Sequence, residues 1–310
     1  MKQLDQTHPS NSYQDEMISL TELFGLLWKG RNLIILITAL FALGSTYYAW
    51  SLNDYYKSSA SLSIAQPESG PSVSGLGGLA SITGINISPV GVQGPMYINT
   101  IRSRSFLKHL LSVDENVLPS LVAAESYNKG SKKLEFNSDI YDAANKKWLS
   151  TQPTHLQVFG TYMSAVNVDF HEIRQTMDVS VEHISPIFAY ELLDLIIREA
   201  DSLLRQRDMQ RSSEALEYLT SELSKTSLLN IKTSINQLIL SQLQTQMMAK
   251  IGSNYVVNVM DPPFIPISTS KPSRSLIRLI GITFGLVMGI LIVIFRYYFA
   301  LKVTKQISEP

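Results

Sequence analysis

Histidine has the widest chemical use of any side chain in this sequence, since it can bind metals and transfer protons near neutral pH. The chain has five histidines, and no two of them have the helical spacing of metal ligands. Asp169 and His171 would share one face of a strand beside Glu172, and a solvated sheet surface is the better interpretation of that group. The five are His8, His109, His155, His171 and His183. We therefore predict no metal site and no catalytic residue.

Other catalytic and cofactor-binding patterns are also missing from the sequence. Cysteine is absent, which excludes thiol nucleophiles, thiolate metal sites and disulfides. The glycine-rich residues 67–95 contain no Gly-Lys-Ser or Gly-Lys-Thr, and no Gly-x-Ser-x-Gly occurs. Two carboxylates could still meet in space as in a glycosidase, so a membrane-anchored enzyme acting on glycans stays as an alternative. The sequence favours a protein that is not an enzyme and needs no cofactor.

The charge of the chain is balanced. It has 26 basic and 26 acidic residues, which gives a formal net charge of +0. A nucleic-acid-binding protein normally carries a basic excess on one face. We therefore expect no nucleic-acid partner.

Two long apolar segments near the ends of the chain predict membrane spans. Residues 33–50 hold no charge and would extend roughly 27 Å as a helix, close to the hydrocarbon thickness of a bilayer. Residues 279–295 are also free of charge, and snorkelling of the flanking arginines extends the second helix to 276–299. A cleaved signal peptide is the rival interpretation of the first segment. The long acidic stretch before it disfavours that reading.

The orientation of the spans follows from their flanking charges. Lys29 and Arg31 before the first span favour a cytoplasmic N-terminus. The second span is less decisive, because three basic residues stand on each side of it. Two spans return the C-terminus to the side of the N-terminus, so the long segment between them is expected outside the cytoplasm.

A glycine repeat marks the second span. Gly281, Gly285 and Gly289 recur at every fourth position and share one helix face. Because glycine has no side chain, another helix can approach that face closely. Glycine is also simply common in membrane helices, but three at this spacing favour helix packing.

The segment between the spans mixes strands with helices. Alternating patterns predict strands at 56–65, 158–170, 175–183 and 255–260. A helix is predicted at 96–111, with short helices and loops over 117–156. No Gly or Pro occurs from 188 to 251, so a long helix opening at Pro186 should reverse near 224–227 and return as a shorter helix. An extended, stiff approach to the second span follows, with Pro262, Pro263, Pro266, Lys271 and Pro272.

Four arginines lie on the predicted long helix: Arg198, Arg205, Arg207 and Arg211. Acidic residues alternate with them, which is typical of a solvated helical face with local ion pairs. The alternative is a stripe that binds a polyanion, so these arginines are candidate contacts to a glycan or to another protomer.

The whole layout resembles the Wzz-type polysaccharide chain-length determinants, the polysaccharide co-polymerases of bacterial inner membranes. The resemblance rests on the leader at 18–23 running into Trp28, the two terminal spans, the stretch 179–186 that opens the long helix, and the proline-rich approach that precedes Gly281 and Gly285. That approach reads Ser270-Lys271-Pro272, where the family usually has Ser-Pro-Lys. Its role is therefore carried over, but no individual contact is.

The resemblance implies an α+β membrane protein of the bacterial inner membrane, in which two transmembrane helices flank a periplasmic α/β base with a long projecting helical arm. It also implies a ring of several copies that works beside a polysaccharide polymerase on a lipid-linked glycan. The expected division is a cytoplasmic segment at 1–32, a first span at 33–52, a periplasmic domain at 53–273, a second span at 274–299 and a cytoplasmic tail at 300–310. Within the periplasmic domain, the base comprises 53–185 and 252–273, and the arm comprises 186–251.

The expected function is regulation of the modal chain length of an O-antigen-like surface polysaccharide. Some relatives carry a fused cytoplasmic kinase, which the short tail is not expected to supply. Two alternatives stay open: a co-polymerase for capsule or exopolysaccharide export that works with a separate kinase, and a periplasmic sensor.

Overall fold

The computed structural model describes residues 25, 27–64, 93–251 and 254–307. The described residues divide into two compact units: one consists of those up to Leu52 and from Pro272 onward, and the other of those within Asn53–Lys271. The leader at 18–23 and most of the glycine-rich residues 67–95 lie outside the described residues.

Helices and strands alternate irregularly along the described chain. In chain order the helices are α1 (Arg31–Ser51), α2 (Gln93–Ile101), α3 (Arg104–Val113), α4 (Val117–Val122), α5 (His155–Ala165), α6 (Pro186–Lys225), α7 (Leu229–Ile251) and α8 (Arg274–Ile307). The strands are β1 (Tyr56–Ile64), β2 (Ala124–Asn128), β3 (Lys133–Phe136), β4 (Tyr141–Asp142), β5 (Lys147–Trp148), β6 (Val166–His171), β7 (Thr176–His183) and β8 (Val257–Asp261).

The first unit contains α1 and α8, which are packed against each other. Arg31–Ser51 has a mean hydropathy of 1.7 and Arg274–Tyr297 one of 2.5, and both are long enough to cross a bilayer. Large apolar side chains such as Leu36, Leu40 and Leu43 face away from the protein, as expected of a helix surrounded by lipid. The last helix continues to Ile307, beyond residue 299 where the second span was expected to end.

The second unit is built on a four-stranded antiparallel sheet with the order β6-β7-β1-β8. Alternate side chains of β1, including Tyr56 and Leu62, point into the core. The register pairs Tyr56 with His183 and Ser63 with Thr176, so β1 begins at the end of the sheet where β7 finishes. The strands predicted at 56–65 and 175–183 are confirmed.

A helical layer formed by α2, α3, α5 and the first half of α6 covers the core face of the sheet. Two buried tyrosines join these helices. The Tyr97 hydroxyl donates to the Ile197 carbonyl over 3.2 Å, and the Tyr162 hydroxyl donates to the Ile101 carbonyl over 3.0 Å. Burial raises the pKa of both phenols. Each buried hydroxyl therefore stays neutral and has the partner that a buried polar group requires.

Two predictions of secondary structure were wrong. The strand predicted at 158–170 is a helix, α5, followed by the shorter strand β6. A capping box at its start, in which the Thr154 amide donates to Gln157 Oε1 over 2.8 Å, favours the helix over the apolar alternation. The helix predicted at 96–111 is two helices, because Ser103 caps a new start by accepting from the Phe106 amide over 3.1 Å.

Residues 117–154 form the short helix α4 and two small hairpins, β2–β3 and β4–β5. Each hairpin turns through a lysine with a positive φ, Lys132 at 53° and Lys146 at 50°. Tyr141 and Trp148 pair across the second hairpin, with ring centroids 5.1 Å apart. The sequence predicted the short helix and the loops of this region but not the hairpin pairing.

The long helix opens and ends as predicted. Ser185 accepts from the Phe188 amide over 3.2 Å, and Pro186 occupies the first helical turn. This helix, α6, has 40 residues and would extend about 60 Å. After a break at 226–228 the chain returns as α7, with 23 residues, and Gln246 donates to Ser213 over 3.0 Å between the two helices. The predicted reversal and the shorter return helix are confirmed.

Candidate functional site

The side chains with acid–base potential are dispersed. Among the described residues, no group of three or more His, Cys, Asp or Glu side chains could hold a metal ion. His171 contacts Asp178 over 3.2 Å on the exposed face of the sheet, and His109 contacts Glu199 over 2.8 Å. Asp169 instead accepts from Asn167 over 2.6 Å. These are separate surface pairs, so the candidate functional regions are surfaces and packing faces.

The chain returning from the helical hairpin is bound to the long helix by a buried carboxylate. Asp201 on α6 is 9% exposed, and its oxygens accept from the Tyr255 amide at 3.0 and 3.1 Å and from the Val256 amide at 2.7 Å. The guanidinium of Arg205 donates to the same carboxylate over 3.1 Å. A charged acceptor for two backbone amides makes strong hydrogen bonds, so Asp201 fixes where the strand β8 begins.

Tyr255 is also bound through its side chain. Its hydroxyl donates to Asp208 Oδ2 over 2.9 Å, about two helical turns further along α6 than Asp201. Burial, together with this hydrogen bond to a carboxylate, raises the pKa of Tyr255. The phenol therefore remains a donor, and two carboxylates of the arm hold one residue of the returning chain.

A groove of 390 Å³ runs beside this junction, which we call the arm groove. Arg198 and Arg205 line it from the long helix, and Pro262 and Pro263 line it from the segment after β8. It therefore brings together two of the four predicted arginines and two of the predicted prolines. Both polar and apolar groups line it. Each arginine is paired with a carboxylate, Arg198 with Asp194 and Arg205 with Asp201.

The four predicted arginines divide between two faces of the long helix. Arg198 and Arg205 are seven residues apart and lie on the arm-groove face, where Asp194 accepts from Arg198 over 2.9 Å. Arg207 and Arg211 are exposed on a different face. The sequence placed all four in one group, whereas the structure divides them: Arg198 and Arg205 lie along the arm groove, and Arg207 and Arg211 lie on another face of α6.

A second groove, of 230 Å³, lies between the first turns of α6, α4 and β3. The carboxylates of Asp114 and Glu191 and the side chain of Lys132 are among its lining groups. Burial and the nearby Asp114 charge raise the pKa of Glu191. None of these residues was predicted from the sequence to belong to a site.

The proline-rich segment is bound to the sheet rather than standing free of it. Pro266 is buried, Pro262 is exposed, and Pro263 and Pro272 are half-buried. Lys271 donates to Glu182 over 2.6 Å, and its carbonyl accepts from the Tyr55 amide over 2.9 Å. The points where the chain enters and leaves the second unit are therefore adjacent.

Glu182 is the acceptor that fixes this segment to β7. It accepts from Lys271 and, over 2.7 Å, from the hydroxyl of Ser270. Partial burial alone would raise the pKa of Glu182, but these two partners hold it below its ordinary value. The carboxylate is therefore charged at neutral pH and keeps both hydrogen bonds.

One buried histidine, whose structural role the sequence did not predict, positions the start of the long helix. His183 Nε2 donates to the Ser120 carbonyl over 2.9 Å, and Nδ1 accepts from the Ser185 amide over 3.1 Å. Burial lowers the pKa of His183 to about 4. The neutral ring joins α4 to the N-cap of α6. The sequence signal for this contact is the His-x-Ser-Pro run within residues 179–186.

In the first unit, the three glycines of α8 face α1. A Cβ added at Gly281 would overlap Ser45, and one added at Gly285 would lie 2.8 Å from Phe41 Cβ and 3.1 Å from Thr38 Cα. A Cβ at Gly289 would lie 3.1 Å from the Cα of α1 residue 34. Real Cβ atoms essentially never approach as closely as those at Gly281 and Gly285 would, and the approach at Gly289 is tighter than most Cβ contacts, so the helix packing depends on glycine at these positions.

The architecture is a mixed helix and sheet unit inserted between two helices of membrane-spanning length. Residues 16–113, which include α1, β1, α2 and α3, match the family model described as "Wzz: Chain length determinant protein". This match confirms the Wzz-type resemblance found in the sequence. No match was found among curated proteins.

Solved structures give a further likeness. A chain described as "full-length bacterial polysaccharide co-polymerase" is 12% identical, with a TM-score of 0.42, and the match covers 91% of this chain and 98% of that chain. The likeness to the chain length determinant family rests on the match of residues 16–113.

Proposed function

We propose that this protein regulates the modal chain length of a lipid-linked, O-antigen-like surface polysaccharide, as an oligomeric scaffold beside the polymerase in a bacterial inner membrane. The observation that carries the proposal is the match of residues 16–113 to the chain length determinant family. A long helical hairpin on an α/β base fits the same role, because a scaffold acts through its dimensions and contacts. It needs no reacting groups.

The membrane topology is part of the proposal. Both termini are cytoplasmic and residues 53–273 are periplasmic. Lys29 and Arg31 support this orientation. The pairing of Tyr55 with Lys271 suits two spans that run side by side. The glycine face of α8 packs on α1 and holds this pair of spans together.

The oligomeric part of the proposal is supported by the helical hairpin. Large apolar side chains of α7 remain exposed, and three of them, Leu240, Leu243 and Met247, share one face of the helix. A stripe of this kind is covered when helical hairpins of neighbouring copies pack together. Arg207 and Arg211 would then lie where they can contact a neighbouring copy or the glycan.

The test is deletion of the gene in its native host, with gel analysis of the surface polysaccharide and complementation by the wild-type chain. Loss of the modal length on deletion, restored by the wild type, is the expected result. An unchanged length distribution with altered signalling would favour the sensor, and altered glycan chemistry would favour an enzyme. A change confined to capsule or exopolysaccharide would favour the export co-polymerase.

A further inference from the structure

In the segment after β8, a proline is buried while the larger apolar side chains beside it are exposed. Pro266 is buried, whereas Ile265 is 50% exposed, Ile267 is 100% exposed and Phe264 is 48% exposed. A single exposed apolar side chain is ordinary on a protein surface. Three within four consecutive residues form a continuous apolar patch, which is typical of a surface that another molecule covers.

Hydrogen bonds hold these residues in place, so their exposure does not come from a loose loop. The Ser58 hydroxyl donates to the Phe264 carbonyl over 2.7 Å, and the Ser270 amide donates to the Tyr55 carbonyl over 2.7 Å. Lys271 is fixed by Glu182 over 2.6 Å, yet its side chain is still 69% exposed. These hydrogen bonds hold the backbone of the segment against the sheet, and the apolar side chains of the patch face outward.

The covalent chain limits how far the patch can lie from the bilayer. Arg274, where α8 begins, is seven residues after Ile267, so an extended chain between them spans at most roughly 25 Å. The chain also enters the second unit beside the point where it leaves, because Tyr55 pairs with Lys271. This end of the unit is thus tethered to both spans by short links.

The charge of the surrounding sequence fits an anionic surface. Residues 262–278 contain three basic residues, Lys271, Arg274 and Arg278, and no acidic one. The positive-inside rule leaves the non-cytoplasmic flank of a span poor in such residues. Basic residues next to apolar ones are the composition of segments that bind at the surface of membranes containing anionic lipid.

From this we propose that residues 264–271, which we call the juxtamembrane patch, contact the headgroup region of an anionic lipid bilayer. The side chains of Phe264, Ile265 and Ile267 enter the interface, and Lys271 lies among the lipid phosphates. The proposal rests on the membrane location proposed for α1 and α8. A second copy of this chain and another membrane protein are the competing occupants.

The test uses the full chain, whose lack of cysteine allows a single label. Ile267→Cys carries an environment-sensitive fluorophore, and the protein is reconstituted into vesicles of phosphatidylcholine, with or without phosphatidylglycerol. Lipids that carry a nitroxide near the headgroup serve as quenchers. Ile173→Cys is the matched control, because Ile173 is also 100% exposed and lies in the β6–β7 turn at the opposite end of the sheet.

The expected result is a blue-shifted emission at position 267, quenched severalfold more strongly than at position 173. The quenching should increase with phosphatidylglycerol and persist when the protein is diluted in lipid. Equal emission and quenching at the two positions would overturn the proposal. Shielding that nitroxide lipids do not quench, or that disappears on dilution, would overturn it in favour of a protein partner. Quenching that is independent of phosphatidylglycerol would overturn the anionic specificity.

This outcome is separable from that of the proposed function. The label reports a lipid contact whether or not the polysaccharide has a modal length, and the deletion phenotype does not depend on where position 267 lies.

Discussion

At the residue scale, Asp201 binds backbone amides that are 54 and 55 positions away in sequence. A helical hairpin that leaves a domain and returns to it needs such a clamp, since nothing in the local sequence fixes where the returning chain docks. The amides of Tyr255 and Val256 would otherwise be buried without acceptors, which is unfavourable.

Asp201→Asn is expected to destabilise the second unit by about 1–3 kcal/mol, because the amide keeps the shape but loses the charge and one acceptor. Thermal unfolding of the full chain in detergent, followed by circular dichroism, measures the change. Asp194→Asn is the matched control, because its ion pair with Arg198 is largely solvent-exposed and should contribute at most about 0.5 kcal/mol. Equal effects of the two substitutions would contradict the clamp.

A second prediction at the residue scale is that the free energy of unfolding depends on pH through His183. Its pKa is about 4 in the folded protein, and that of an unfolded histidine is about 6.5. Between these values the unfolded chain binds more protons, so the stability is lost as the pH falls from about 6.5 to about 4, by up to about 3 kcal/mol. Protonation would also remove the Nδ1 acceptor of the Ser185 amide.

The measurement is the unfolding free energy of the wild type and of His183→Gln at several pH values within that window. The variant should be less stable near neutral pH and should have a shallower slope. His155→Gln, which replaces a partly exposed ring, should keep the wild-type slope. If all three slopes coincide, His183 does not titrate as its burial indicates.

At the element scale, the packing of α8 on α1 depends on glycines spaced by one turn. Gly285 lies against the backbone of Thr38 and the Cβ of Phe41, so even a methyl group would push the helices apart. Phe41 and Phe284 meet edge to face beside this contact, with ring centroids 5.4 Å apart. The close approach thus positions an aromatic pair as well.

Gly285→Leu is expected to destabilise the pair of spans by about 1–3 kcal/mol through overpacking. It should also fail to restore the modal polysaccharide length in the deletion strain. Gly44→Leu adds the same side chain where a Cβ meets nothing within 4 Å, and it should complement normally. The quantities compared are the amount of protein in the membrane fraction and the gel pattern. Full complementation by both variants would show that the glycine face is dispensable.

At the scale of the whole molecule, α6 and α7 form a long two-helix hairpin that covers only part of its own apolar surface. Leu240 is exposed, and the main helical partner of α7 among the described residues is α6. Two helices cannot enclose an apolar core along their length, which is why such hairpins associate. We expect the missing surface to come from further copies of this chain.

Leu240→Asp should weaken that association and shift the mass of the detergent-solubilised protein towards the monomer, as measured by light scattering. Ser234→Asp places the same charge at an exposed polar position roughly 120° around the helix from Leu240, and it should leave the mass unchanged. A wild-type chain that is monomeric, or a Leu240→Asp chain with the wild-type mass, would argue against assembly through this face.

The sequence alone determined the features whose cause is local. An uninterrupted apolar run predicts a helix of membrane-spanning length, and the alternation of apolar and polar residues predicted the strands β1 and β7. The absence of Gly and Pro between 188 and 251, with polar residues near 226, gave the long helix and its reversal. Local pattern failed at 158–165, where the Thr154 capping box and the helical packing of α5 on the core outweighed apolar alternation.

The tertiary structure decided which residues meet. It placed Arg198 and Arg205 beside Pro262 and Pro263 and separated them from Arg207 and Arg211. It also set Asp201 under the returning strand and His183 against α4. These contacts join positions that are tens of residues apart, and their energies depend on distance and burial. Neither quantity is encoded in the spacing of residue types along one segment.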